Sequence, residues 1–250
     1  MSLFPGDWII PDWPAPSAVR AAVSGRQGGV SQGAYASLNL GDHVGDAPEA
    51  VAENRQRLRT WLPAEPRWLR QIHGVTVVDA EVVRHPPEAD GSVTRLPGVV
   101  CAVLVADCLP VLLCDDAGSV VGVAHGGWRG LAAGVLEQTV DRMAVAPASL
   151  MAYLGPAIGP EHFQVGDEVR SAFLEGHPEA ASAFSAQIPG KWLGNLYELA
   201  RQRLIAAGVR RIHGGSRCTF AEADKFYSYR REGATGRMAA LIWLESAAGE

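Results

Sequence analysis

Apolar residues run together in the middle of the chain and spread out elsewhere. Val99 to Val105, Pro110 to Cys114 and Val120 to Val123 are nearly unbroken apolar segments. A strand that is apolar at successive positions has no solvent face. These segments therefore predict strands of a sheet buried on both sides. Leu150 to Leu154 and Met238 to Leu244 read the same way. Shorter apolar stretches predict strands at Trp68 to Gln71 and Val75 to Val83, followed by a Pro-containing loop from Arg84 to Asp90.

Helical spacing appears between them. Pro48 to Leu62 puts Val51, Leu58 and Leu62 on one face, with Asp46 as the expected cap and Pro48 and Glu49 in the first turn. Gly130 to Met143 reads as one helix, with Leu131, Val135, Leu136 and Met143 on or near one face. Leu196 to Ala207 follows Asn195, has Glu198 at capping-box spacing and stops at Gly208. The mixture predicts an α/β or α+β layered fold around a heavily buried sheet. Residues 1–18, rich in Trp and Pro, predict an extended strap with an edge strand at Trp8 to Ile10, ahead of a single domain over residues 19–250.

Composition narrows the function classes. The 22 basic and 27 acidic residues give a net charge of −5, with no basic block, so no nucleic-acid partner is expected. The longest apolar run, Val99 to Ala106, is eight residues, against the roughly 20 a membrane helix needs. The segment MSLFPGDWII lacks a basic region and meets Pro5 and Gly6 at once, so no secretory leader is expected. Cys101, Cys108, Cys114 and Cys218 form no C-x-x-C pair, and reduced thiols in a cytoplasm are expected.

Chemistry-capable residues fall where apolar segments end. Trp68 to Gln71 leads to His73, Val99 to Val105 leads to Asp107 and Cys108, and Val120 to Val123 leads to His125. Strand ends of layered sheets are common places for active sites. Two imidazoles and a thiolate suit zinc with one coordination position left open. The residues leave other readings standing. Each histidine could be a hydrogen-bonded structural residue, and Cys108 with His125 could form a nucleophile and base of a hydrolase. Arg26, Arg129 and Arg230 are candidate oxyanion binders, because the guanidinium fork matches phosphate, but a structural salt bridge explains each as simply.

Seven segments, taken together, resemble one family. They are GRQGGVSQGAYASLNLGDHVGD, RQIHGVTVV, ADGSVT, VADCLPVLLCD, VAHGGWRGL, GPAIGP and CTFAEADKFYSYRREGATGRMAALIWL, in order over residues 24–244. The family was long described as laccase-domain or polyphenol-oxidase proteins and is now described as purine nucleoside phosphorylases with adenosine deaminase activity. The resemblance implies a single-domain α/β/β/α sandwich with a buried mixed sheet. It also implies a catalytic zinc on His73, Cys108 and His125, with copper as an alternative occupant. The implied reactions are phosphorolysis of adenosine, inosine, guanosine and methylthioadenosine to free base and ribose 1-phosphate, plus deamination of adenosine. Asp107, beside a ligand, is expected to orient that ligand or a water. Arg26, Arg230, Arg129 and Asn39 are the expected substrate and phosphate contacts, and a monomer or weak homodimer is the expected state.

The chain departs from the family pattern in places. Glu161-His162 stands where the family has paired cysteines, Asn195 where it has Asp, and Ser24-Gly25 where it has Thr-Thr. Of the seven histidines no two are two residues apart, which disfavours a multicopper cluster built on His-x-His pairs. The stronger rival is a Cys108–His125 hydrolase acting on an amide or a peptidoglycan precursor. A binding module without catalysis is a third class.

Overall fold

The buried apolar runs become the strands of two packed sheets. The computed structural model describes residues 5–246. In chain order the strands are β1 (Val19–Val23), β2 (Val77–Asp79), β3 (Gly91–Thr94), β4 (Cys101–Val105), β5 (Leu109–Asp115), β6 (Val121–Gly126), β7 (Leu150–Leu154), β8 (Gln164–Gly166), β9 (Phe184–Ile188), β10 (Lys191–Gly194), β11 (Arg211–Gly214) and β12 (Met238–Leu244). The α-helices are α1 (Pro48–Arg59), α2 (Trp128–Ala133), α3 (Val135–Met143), α4 (Asp167–Leu174), α5 (Leu196–Ala206) and α6 (Tyr229–Glu232).

One sheet has six strands in the order β11-β7-β5-β6-β3-β2. It is mixed: β11–β7 and β2–β3 are parallel, whereas β7–β5, β5–β6 and β6–β3 are antiparallel. The order β1-β12-β4 makes a second, antiparallel sheet, and β8-β10-β9 a small third one.

Alternation along the strands builds the layers, because successive side chains point to opposite faces. Leu109, Val111 and Leu113 of β5 pack under α3 and α5, while Leu112 and Cys114 enter the core between the sheets. Met238, Ala240, Ile242 and Leu244 of β12 meet them there. Ala239, Leu241 and Trp243 turn the other way, against Leu58 of α1 and against Trp8 and Trp68. Both larger sheets are thus covered on both faces. The result is the layered α/β/β/α sandwich, and it explains why the sequence shows runs where a half-exposed sheet would alternate.

Local signals were less reliable than the runs. The expected helix over 130–143 is two helices, because Gly134 takes φ +102° and breaks it. The segment 68–71 is not a strand: isolated bridges, Arg67 to Cys101 and Arg70 to Glu88, and the Gln71 side chain bonded to the Leu104 backbone tie this stretch down. Val75 to Val83 shortens to β2 and a turn of 3-10 helix over Ala80–Val82. Ala47, not Asp46, is the N-cap of α1. Asp46 instead accepts from Ser31 Oγ at 2.6 Å and Asn39 Nδ2 at 2.9 Å. Asn195 does cap α5, accepting from the Glu198 N–H at 3.1 Å. Residues 1–4 of the expected strap lie outside the described residues; beyond them Ile9 bridges to Val23 of β1. No helix among the described residues is long and apolar enough to cross a membrane.

Leu112 is fully buried between the two sheets. Leu112→Ala should therefore cost about 2–5 kcal/mol, read from the urea midpoint at constant slope. A loss below about 1 kcal/mol would mean that the inter-sheet layer is loosely packed.

Candidate metal centre and its cavity

Three separate elements deliver His73, Cys108 and His125 to one place. Cys108 lies in the turn between β4 and β5, and His125 is inside β6, opposite Pro110 of β5. His73 comes from the loop before β2, with its backbone in the left-handed region at φ +59°. Cys108 Sγ is 3.7 Å from His73 Nε2, and the two imidazole centroids are 4.8 Å apart, edge to face. One ligand atom from each of the three residues lies within 4.8 Å of the others. Among the described residues this is the one group of three or more His, Cys, Asp or Glu side chains close enough to share an ion. Gly127 leaves the room they need: a Cβ there would sit 2.5 Å from His73 Cδ2.

A residue the sequence reading passed over organises this group. Asp90 immediately precedes β3, and its side chain is fully buried. One oxygen accepts from the N–H groups of Ile72 and Gly74, at 3.2 and 2.7 Å; the other accepts from the His73 N–H at 3.0 Å. That second oxygen also meets His125 Nδ1 at 2.8 Å, and the Asp90 carbonyl accepts from the His125 N–H at 2.7 Å. Asp90 thus shapes the His73 loop and puts a proton on His125 Nδ1, which leaves Nε2 for the site. Burial pushes the Asp90 pKa up, but the His125 bond and the loop amides outweigh it and hold it below the usual carboxylate range.

The same neighbours set the charge of the thiol. Burial raises the Cys108 pKa, but His125 and then His73 overcome this and bring it down to about 6. His125 moves the opposite way: burial lowers its pKa, while Cys108 and Asp90 raise it to about 9. Cys108 is therefore a thiolate at neutral pH, and an arriving divalent ion would displace the proton from His125. Cys101 and Cys114 are buried as small apolar side chains, each thiol pushed up to about 12 by burial.

The group opens on a cavity of about 520 Å³. Its walls are partly apolar, from Trp128, Ile158, Phe163 and Leu196, and partly cationic, from Arg129, Arg230 and Arg237. Arg129 stacks over Trp128 at 4.3 Å. Arg230 lies over Phe163 at 5.5 Å and donates to the Gln164 carbonyl at 2.8 Å. Arg237 is the most enclosed of the three, and burial, its largest influence, lowers its pKa. Arg237 was missed in the sequence, although it stands in the quoted segment SYRREGATGR.

Two expected contacts lie elsewhere. Arg26 does not line the cavity; its guanidinium is held by Glu232 Oε1 at 2.9 Å and by the carbonyls of Ala36 and Ala223. Asn39 is fully buried and is spent on its own loop, bonding Gly41, Asp46 and the Arg237 N–H. Their residue types fit phosphate equally well in sequence; a carboxylate and loop amides claimed them first. Asp107, at φ +90°, lines the cavity, but both oxygens accept bonds, from Thr219 Oγ1 at 2.6 Å and the Arg230 N–H at 2.7 Å.

Comparison with known proteins finds relatives alike in sequence and fold over nearly the whole chain. A family model described as multi-copper polyphenol oxidoreductase laccase matches residues 20–245. A Pseudomonas aeruginosa protein named purine nucleoside phosphorylase is 55% identical over 239 residues, spanning 95% of this chain and 98% of that protein. The Escherichia coli protein named purine nucleoside phosphorylase YfiH is 52% identical, over 94% of this chain and 98% of that one. A Neisseria meningitidis crystal structure superposes with a TM-score of 0.93 at 53% identity, covering 96% of this chain and all 100% of the other. The crystal structure of YlmD from Geobacillus stearothermophilus gives 0.86 at 35% identity, over 93% and 94% of the two chains. A match that runs from β1 to just past β12, with relatives alike over nearly their full length, places this chain in the multi-copper polyphenol oxidoreductase laccase family.

Proposed function

We propose that the cavity carries out phosphorolysis of purine nucleosides, with a divalent ion, zinc first, held by His73, Cys108 and His125. One observation carries the reading: two imidazoles and a cysteine sulfur meet beside a cavity of about 520 Å³ lined by arginines and apolar side chains. That volume falls in the usual range for small-molecule sites. The name purine nucleoside phosphorylase, borne by relatives at 52–55% identity, supports the reaction. The donor set fits the ion, since thiolate and imidazole favour zinc, and the affinity order leaves copper as an alternative occupant.

When bound, the ion supplies Lewis acidity toward an oxygen of water or substrate. The remaining work belongs to the chain. A phosphate oxygen bonds to C1′ as the C1′–N9 bond breaks, and the departing purine takes up a proton. Arg230 and Arg129 offer guanidinium groups to the phosphate, and Arg237 adds positive charge from a poorly solvated position. Phe163, Trp128 and Ile158 give the purine an apolar wall. Asp107 shapes the wall, because its oxygens are committed to Thr219 and Arg230. The substrates are adenosine, inosine, guanosine and methylthioadenosine. Adenosine deamination is the second proposed activity, with water adding at C6 and ammonia leaving.

A second reading is favoured by a specific arrangement. Asp90, His125 and Cys108 stand in the order carboxylate, imidazole, thiolate, which suits a Cys nucleophile with His125 as its base. The substrate would be an amide or a peptidoglycan precursor.

Metal removal separates the two. A strong chelator should abolish release of hypoxanthine and ribose 1-phosphate from inosine, and zinc should restore it. Metal-stripped protein that keeps full phosphorolysis would end the first reading. Metal-free isolated protein, with rapid alkylation of Cys108 and amide cleavage, would establish the second. Arg230→Ala should raise the phosphate KM about 10- to 100-fold, as expected for one charged hydrogen-bonding group. An unchanged KM would remove Arg230 from the phosphate site.

A further inference from the structure

Arg26 lies outside the cavity, yet its bonds lead there. Its side chain is 13% exposed and stacks over Tyr227 at 4.6 Å. Its charged partner is Glu232, the last residue of α6. Glu232 Oε1 also accepts from Arg231 at 3.0 Å, and its other oxygen accepts from Thr235 Oγ1. Arg231 in turn donates to the carbonyls of Thr219, Phe220 and Phe226, at 2.6 to 2.8 Å.

The other end of α6 is tied to the metal centre. The Arg230 N–H donates to Asp107, the residue before Cys108, and Asp107 also holds Thr219. Between these two carboxylates sit Tyr229 and Arg230, both on the cavity wall. A four-residue helix cannot hold its own position, since a single turn is unstable alone. Its placement must come from its ends.

We propose that Arg26 is a positioning residue: through Glu232 it anchors the C-terminal end of α6 and so sets Tyr229 and Arg230 against the cavity. It rests on the reading of that cavity as the reaction site. Arg26 touches neither phosphate nor nucleoside. Its loop is held independently: Asn54 donates to the carbonyls of Ser37 and Asn39 and accepts from the Val30 N–H. Loss of the guanidinium also releases the Ala36 and Ala223 carbonyls, but only at α6 does it remove a charged partner, leaving Glu232 to Arg231 and Thr235.

The test combines hydrogen exchange with kinetics on the metal-containing full chain. In Arg26→Ala the amides of Arg230, Arg231 and Glu232 should exchange at least about tenfold faster, while those of α1 keep their rates. The phosphate KM should rise about tenfold with kcat changed less than about twofold, the mark of displaced binding groups. In a Glu232→Ala background, adding Arg26→Ala should change KM by less than about twofold. Unaltered exchange in α6 would overturn the proposal. So would losses that multiply in the double variant, which would give Arg26 its own contact with ligand. If Arg26→Ala unfolds, Arg26→Lys serves: it keeps the charge, loses the fork, and should still loosen α6. Absence of phosphorolysis in the unmutated protein would sink the proposed reaction, whereas the exchange measurement would still read the anchor.

Discussion

A single buried carboxylate holds the site together. Asp90 sits where β3 begins and faces three amide N–H groups of the His73 loop and the ring of His125. A lone carboxylate with no solvent exposure is costly to bury. Four donors offset that cost, and each belongs to a segment that must be fixed for the two imidazoles to converge. The tautomer of His125, the left-handed turn at His73 and the charge of Cys108 all follow from this arrangement. The α/β/β/α layers supply the dry surroundings in which those charges act strongly.

Around this point the molecule uses charge for two separate purposes. Arg230, Arg129 and Arg237 line the cavity with cations that face a ligand. Arg26 pairs with Glu232 at the end of α6, beside Arg231 of the same helix, and these charges bond to the protein. The distinction is one of partners, not residue type. Arg26 has a carboxylate beside it, on Glu232, whereas Arg230, Arg129 and Arg237 line the cavity with no carboxylate ion-paired to them among the described residues; Arg230 and Arg237 bond only backbone carbonyls through their guanidinium groups.

A layered fold around a buried sheet was legible because both larger sheets are covered on both faces, which leaves runs such as Val99 to Val105 and Met238 to Leu244 in the sequence; the α/β/β/α order was implied by the family resemblance alone. The cluster of His73, Cys108 and His125 was legible for a related reason: Cys108 and His125 stand out where such runs stop, and His73 follows a shorter apolar stretch. Asp90 was not, because an acidic residue between a Pro-containing loop and a short strand reads as an ordinary turn. The broken helix at Gly134 was hidden by apolar spacing that continues on both sides of the break. The third sheet was hidden because its strands are short and β9 is largely exposed, so no apolar run marks it. The partners of Arg26 were beyond any local signal, since Glu232 lies 206 residues along the chain.

The central claim is that one divalent ion is shared by His73, Cys108 and His125. X-ray absorption at the metal edge of the purified protein tests it most directly. The account predicts two nitrogen scatterers at about 2.0–2.1 Å and one sulfur at about 2.3 Å, the ordinary zinc distances. A first shell without sulfur would contradict it.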